Sequence, residues 1–494
     1  MRKLLFTICN IIIFISCARE DDSEYFTGKV TFPVHPNLGA KEAMAARVVP
    51  YPRQLEWQKL EMTAFIHFNI NTFTDREWGN GNESPELFNP SSLDTEQWVT
   101  VLSEAGMKMI IITAKHHDGF CLWPTKTTDH SVASSPWKDG KGDVIRELKD
   151  ACDRHGMKFG VYLSLWDRNA DCYGDSPAYN RFYMEQLTEL LTWYGRVDEV
   201  WFDGANGEGS DGRRQEYDWQ AFYDLIRQLQ PDAVTAIMGE DVRWVGTETG
   251  FGRETEWSVI TLAPGGTPSS RAINDALGLN PMSEDLGSST MLKKADNAYW
   301  YPAEVDVSIR PGWFWHASED SLVKDAGKLA DIYLGSVGRN AVLLLNVPPD
   351  KRGLITDNDI KSLMGLKAWI DDLYDTDLLN GARPYGQGSS GAIDGDNNTS
   401  WSPRRDRTAS FVPAIAATFN VAMLQEDISK GQRVEKFIIE ALSADQWDTI
   451  ATGTTVGYKR LLNFPEVKAD EIRLTIVSSR ATPHISTFAL YHTE

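Results

Sequence analysis

The chain has 494 residues, enough for two or three domains with cores of their own. Its 42% hydrophobic and 24% charged content is that of a folded globular protein and argues against a disordered chain. A formal net charge of −21 argues against nucleic acid or an anionic membrane as partner and leaves a neutral substrate as the expectation.

The first segment, "MRKLLFTICNIIIFISC", starts with Arg2 and Lys3, runs through a short apolar stretch and reaches a small residue before Cys17. The run is too short to cross a bilayer, so residues 1–16 read as a signal peptide. "FISC" resembles a bacterial lipoprotein box, which implies a lipid on Cys17 and an exported chain at the periplasmic or outer-membrane surface. Residues 17–45, beginning with the acidic "AREDDSE", form a tether and lead-in. No later segment is long and apolar enough to span, so that lipid is the expected membrane contact.

Residues 46–378 alternate strand-like and helix-like segments. The apolar runs are "MTAFIHFNI", "MKMIIITAKHH", "MKFGVYLSLW", "VDEVWFDG", "AVTAIMG", "VRWVGTE", "AEVDVSI" and "AVLLLNVPP". Amphipathic stretches such as "GDVIRELKDACDRHG" and "WQAFYDLIRQLQ" lie between several of them. Near-continuous apolar strands alternating with helices predict a parallel sheet covered on both faces, and this many strands predict an α/β fold of the (β/α)8, TIM-barrel type. No Gly-rich phosphate loop opens a helix, which counts against a nucleotide-binding sheet. "TDNDIKSLMGLKAWIDDLYDT" closes this region as a helix. Residues 379–494 change character: a Gly/Ser/Asn-rich stretch precedes short strand-like pieces, "SFVPAIAATFNV", "VEKFIIEAL", "EIRLTIVSS" and "STFALYH", predicting an all-β sandwich.

In a barrel of this type, function lies where strands end. Those ends carry His67, His116, His117, Trp166, Asp203 and Glu248, a recurrence of imidazole, indole and carboxylate. Adjacent residues on a strand face opposite ways, so His116 and His117 would share a metal ion only if the strand had already ended, and no HExxH spacing is present. Hydrogen bonding to a polyhydroxylated ligand is favoured over a metal. Glu77 beside Trp78 suits the gripping of hydroxyls next to an indole that packs on a sugar face. Asp203 follows three bulky apolar residues and precedes Gly204, and it shares a strand face with Trp201. Glycoside cleavage needs a second carboxyl group, held protonated. Asp241, Glu248, Glu254 and Glu256 are the candidates; Glu248 stands at a strand end between Gly246 and Gly250 and is favoured, while Glu254 is expected to pair with Arg253. Cys121, Cys152 and Cys172 show no metal spacing and receive no catalytic role.

Taken together, "FIHFNINTFTDREWGNG", "AKHHDGFCLWPTKTTDHSV", "GVYLSLWDRN", "VWFDGANGE" and "NAVLLLNVPPDKRGLI" resemble α-L-fucosidases of glycoside hydrolase family 29, from about residue 50 to 355. The resemblance implies a retaining mechanism with Asp203 as nucleophile and a fucose pocket lined by His67, Glu77, Trp78, His116, His117 and Trp201. "RWVGTETGFGRETEWS" and "SIRPGWFWH" look like the branch that prefers α-1,3/1,4-linked fucose on branched glycans, which implies Glu248 as acid/base and Trp313 and Trp315 as aromatic walls. No cofactor is then needed, and the partner is a fucosylated oligosaccharide or glycoconjugate. A fucosidase of α-1,2 or broad preference and a non-catalytic carbohydrate-binding surface lipoprotein are the competing readings. The C-terminal region resembles a discoidin-like (factor 5/8 type C) sandwich through "AIDGDNNTSWSP" and "IRLTIVSSRATPHISTFALY". Such modules hold a structural Ca²⁺ through a "DGD..T" loop, here Asp394, Asp396 and Thr399, although Thr487 stands where many carry a Glu.

Overall fold

Eight strands pair in parallel and in chain order until the last closes on the first. They are β1 (Met62–Ile66), β2 (Met109–Lys115), β3 (Lys158–Leu163), β4 (Glu199–Phe202), β5 (Val234–Ile237), β6 (Val242–Trp244), β7 (Ala303–Ser308) and β8 (Ala341–Asn346). This is a computed structural model, describing residues 24–209, 212–415 and 418–493. Residues 1–16, expected to be a signal peptide, and Cys17, expected to carry a lipid, lie outside the described residues.

The apolar runs lack alternation because both faces of each strand are buried. Ile110, Ile112, Val161, Leu163, Val305 and Leu343 face the helices. Phe65, Ile111, Tyr162, Trp201, Ala236 and Leu344 fill the barrel interior. Between β5 and β6, residues 238–241 connect the two strands without a helix. Such a short parallel connection needs a firm anchor. Asp241 supplies it from a buried position: its carboxylate accepts from Thr235 N (2.9 Å) and Thr235 Oγ1 (3.0 Å) and pairs with Arg53 (2.8 Å) and Arg227.

The second body is a sandwich of two antiparallel sheets. Its strands are β9 (Arg383–Tyr385), β10 (Thr408–Val412), β11 (Thr418–Glu426), β12 (Val434–Ser443), β13 (Gln446–Gly453), β14 (Arg460–Lys468), β15 (Glu471–Ser479) and β16 (Ile485–Tyr491). One sheet has the order β9-β10-β15-β12-β13 and the other β14-β11-β16. "SFVPAIAATFNV", read as one piece, is two strands in different sheets, because Pro413 cannot donate to a ladder and ends β10. Alternate residues such as Phe411, Phe437, Ile439 and Leu474 meet Phe419, Leu424 and Phe488 in the shared core.

The lead-in is built into the fold. Lys29–Thr31 pairs antiparallel with Asn297–Tyr299, and the buried Lys41 donates to the carbonyls of Lys293 (3.2 Å) and Ala295 (2.5 Å). The sandwich in turn grips the barrel beyond β6. Gln432 Nε2 donates to Glu256 O (3.0 Å), Gln432 Oε1 accepts from Ser258 N (2.7 Å), and Arg460 pairs with Glu254 (2.9 Å).

Candidate active site

A pocket of 320 Å³ opens at the C-terminal ends of the barrel strands. It brings together His67, Glu77, Trp78, His116, His117, Trp201, Asp203, Glu248 and Trp313, nine of the residues singled out above. Trp166 is not in the lining but packs its ring against Trp78 (5.6 Å) and His117 (5.3 Å). Gly207 permits that packing, since a Cβ there would lie 2.1 Å from Trp166 Cζ2. Trp315 also stands outside the lining and donates its indole N–H to Asp320 (3.2 Å). Gly204, which follows Asp203, is not in the left-handed region.

β2 ends at Lys115, so the pleat no longer applies at the next two residues, and both imidazoles turn into the pocket with ring centres 4.2 Å apart. Their partners set complementary tautomers. Ser164 Oγ donates to Trp166 O (2.7 Å), so it accepts from His117 Nδ1–H (2.7 Å), and His117 Nε2 is left as an acceptor 3.7 Å from Asp203. Asn346 Nδ2 donates to Ser308 Oγ (2.9 Å) and Trp313 O (2.8 Å), so its Oδ1 accepts from His67 Nδ1 (2.8 Å) and His67 Nε2 is also an acceptor. Asn71 Nδ2 donates to His116 Nδ1 (3.3 Å), which makes His116 Nε2–H a donor. Burial drives all three imidazole pKa values down, that of His67 to about 3, so the pocket presents neutral rings. A neutral wall of two acceptors and one donor suits hydroxyl groups.

The carboxylates differ in surroundings. Asp203 accepts from Tyr162 OH (3.0 Å) and from Ala205 N (2.7 Å). Burial and the adjacent Asp203 raise the Tyr162 pKa far enough that it remains a donor. Glu248 sits on the loop beyond β6, where Gly246 takes φ +103; a Cβ there would lie 2.6 Å from Pro281 O. Partial desolvation raises the Glu248 pKa, with the negative charges of Asp203 and Glu77 adding to the rise and a Trp313 hydrogen bond opposing it. The other candidates are structural. Asp241 anchors the β5–β6 turn, Glu256 pairs with the buried Arg243, and Glu254 pairs with Arg339 and Arg460. The expected Arg253–Glu254 pair does not form: Arg253 reaches Glu256 (3.5 Å) and the carbonyls of Pro281 and Ser283 (2.9 Å for the latter).

Glu77 braces the pocket wall. Its carboxylate accepts from Trp313 N (2.9 Å), Phe314 N (3.2 Å) and His316 (2.7 Å), tying the loop after β1 to the loop after β7. Burial alone would depress the His316 pKa, but its hydrogen bonds to Asp75 and Glu77 raise it. Trp78 is left 55% exposed above the pocket, a free indole face for a sugar.

Sequence reasoning missed Phe65, Tyr162, Ala205 and Asp306 in the lining. It also missed a column of carboxyl groups inside the barrel. Glu199 accepts from Trp57 Nε1 (2.8 Å), Glu304 from Trp201 Nε1 (2.8 Å) and Asp306 from Trp244 Nε1 (2.7 Å). Burial pushes the Glu199 pKa up to about 8 and raises those of Glu304 and Asp306 well above the ordinary carboxylate range. The signal was present in "AEVDVS", where Glu304, Asp306 and Ser308 recur with period two in a buried strand. Among the described residues no group of three or more His, Cys, Asp or Glu is arranged to hold a metal ion. At the expected Ca²⁺ loop, Asp394 accepts from Thr399 Oγ1 (2.7 Å) and Asp396 N (3.0 Å), while Thr487 Oγ1 reaches Asn397 (3.1 Å).

These burials fix a pH window for stability. His67, lowered in the fold, protonates more readily when unfolded, so its contribution is full above pH ~6.5 and is lost as pH falls toward about 3. At pH ~5 that one group costs about 2 kcal/mol. Glu199, raised in the fold, acts oppositely: its contribution is full below pH ~4.5 and is lost as pH rises toward about 8. Thermal melts from pH 4 to 9 are expected to peak between these limits. With His67→Gln the acid-side decline is expected to become shallower, and an unchanged acid limb would remove His67 from this account.

An eight-stranded parallel barrel with two contrasted carboxyl groups, neutral imidazoles and indoles at its mouth defines a glycoside hydrolase. The alpha-L-fucosidase family model matches residues 38–373, and the chain belongs to the α-L-fucosidases of glycoside hydrolase family 29. It is 41% identical over 470 residues to alpha-L-fucosidase 1 of Arabidopsis thaliana, covering 90% of this chain and 87% of that one. A crystal structure from Bacteroides ovatus has 55% identity and a TM-score of 0.90, covering 96% of this chain and 79% of the other. A Ruminococcus gnavus family 29 fucosidase in complex with fucose has 31% identity and a TM-score of 0.79, covering 90% and 95%.

Proposed function

We propose that this α-L-fucosidase is a retaining exo-enzyme that removes α-1,3/1,4-linked fucose from Lewis-type or milk-oligosaccharide glycans, and that it is exported and held by a lipid on Cys17. The observation that carries the mechanism is the contrast between Asp203, held by Tyr162 OH and Ala205 N–H, and Glu248, whose pKa is raised in the same pocket. Ionised Asp203 attacks the anomeric carbon as the glycosidic C–O bond breaks, and the Glu248 proton passes to the departing oxygen. Glu248 then takes a proton from water, whose oxygen displaces Asp203 from the sugar and restores both groups. Two inversions give net retention. His67, His116 and His117 supply acceptors and a donor for the hydroxyl groups of fucose, and the exposed Trp78 offers a platform to a neighbouring sugar of a branched substrate.

The linkage reading rests on "RWVGTETG" and "RPGWFWH". Assay on α-1,2, α-1,3, α-1,4 and α-1,6 fucosides is expected to show α-1,3 and α-1,4 substrates turned over at least about tenfold faster in kcat/KM, the equivalent of ~1.4 kcal/mol. A preference for the α-1,2 linkage would overturn this assignment without touching the family.

A further inference from the structure

A second cavity, of 650 Å³, lies where the lead-in meets the sandwich and shares no lining residue with the fucose pocket. Arg47, Arg404, Lys430, Arg433 and Arg480 line it, and among the described residues its lining holds no carboxylate. That is unusual in a chain with 70 acidic and 49 basic residues. Charge this concentrated inside a concave surface focuses a local positive field despite the negative whole.

Some of that charge is balanced from outside the cavity. Lys430 pairs with Asp427 (2.8 Å) and Arg480 with Glu435 (3.2 Å). The buried Arg433 instead donates to neutral acceptors, the carbonyls of Lys430 (2.8 Å) and Thr482 (2.7 Å) and His484 Nε2 (3.0 Å). Glu426 meets the backbone N–H of Arg433 (2.9 Å), but burial pushes its pKa up to about 7, so near neutrality it offsets part of that charge. Arg47 likewise donates to the carbonyls of Ala43 (3.2 Å) and Glu24 (3.3 Å). Placing guanidinium charge against carbonyls in a partly dry site is costly unless an anion joins it.

The hydroxyl groups fit an anion too. His484 Nε2 accepts from Arg433, so its Nδ1–H donates to Ser402 Oγ (2.7 Å). Ser402 Oγ stands 3.3 Å from Ser400 Oγ, and both serines line the cavity, so the pair has a hydroxyl proton to offer a ligand. Arginine and lysine with hydroxyl donors converging from separate segments are a donor set for a multiply charged oxyanion. The volume far exceeds one ion and falls within the ~300–1,000 Å³ of small-ligand sites. We propose that this cavity binds a sugar bearing a sulfate or phosphate ester, as a site separate from the fucose pocket.

The test is calorimetric titration of the whole protein with a sulfated N-acetylglucosamine, a sugar phosphate, inorganic sulfate, and phosphatidylglycerol vesicles. Saturable binding of the sulfated or phosphorylated sugar, tighter than inorganic sulfate, is expected. Arg47→Glu with Lys430→Glu is expected to weaken it by about tenfold or more, the equivalent of ~1.4 kcal/mol. Hydrolysis of an aryl fucoside should be unchanged. Ser402→Ala, a milder change, is expected to weaken binding less and keeps the test open if the double variant does not fold. The ester carried by the better-bound sugar identifies which of the two it is. Binding of inorganic sulfate alone, of vesicles alone, or of the sugar equally to wild type and variants would overturn the proposal.

Discussion

Asp203→Ala is expected to lower fucose release by about 10⁴-fold or more while leaving fucose binding measurable, the pattern of a group that acts with its neighbours in the chemical step. The reason is local. Tyr162 OH and Ala205 N–H hold the Asp203 carboxylate, and the neutral His117 turns its Nε2 toward it from 3.7 Å. Removing the carboxylate leaves those donors and the pocket walls in place, so the sugar still docks but meets no nucleophile. Added azide should enter the vacated space and attack the anomeric carbon of an activated aryl fucoside as the aryl group leaves. The product is then a fucosyl azide of inverted configuration. Full activity in the alanine variant, or rescue that yields a product of retained configuration, would remove Asp203 from the nucleophile's role.

Glu248→Gln should separate leaving groups instead. General acid catalysis contributes ~10²–10⁴-fold, and it matters most where the departing oxygen is a poor leaving group. A glycan substrate is therefore expected to lose about that factor, and an aryl fucoside with an acidic phenol far less. The pH profile carries a second readout. Partial desolvation and the charges of Asp203 and Glu77 raise the Glu248 pKa, so the protonated acid survives above the ordinary carboxylate range. In the wild type kcat/KM should fall as pH rises through that raised value, and in the glutamine variant this basic limb should disappear. Equal losses on both substrates with an unaltered limb would assign the proton to another group.

Much of this site was legible because barrel topology converts sequence position into place. Once the apolar runs are counted as staves, their ends must gather at one rim, and His67, Trp201 and Asp203 gather there without any knowledge of their contacts. Glu248 was favoured over Asp241, Glu254 and Glu256 from an expected strand end flanked by glycines, whereas the strand stops at Trp244 and the loop beyond it carries Glu248 to the pocket. Why the others are unavailable is a tertiary matter: Arg227, Arg339 and Arg243, which neutralise them, lie far away in sequence or on other elements. The Arg253–Glu254 pairing failed for the same reason, because adjacency along a loop does not predict which way its side chains leave it.

What the chain determines by itself is the alternation of apolar strands and helices, the change to short strands near residue 380, and the residue types at each strand end. These follow from local pattern, and local pattern suffices when each stave is buried on both faces. What the tertiary structure decided is protonation and partnership. Neutral imidazoles, the acid column Glu199, Glu304 and Asp306, and the basic cavity between lead-in and sandwich all arise from burial and from contacts between distant segments. Desolvation depends on what packs overhead, and no spacing along the chain records that.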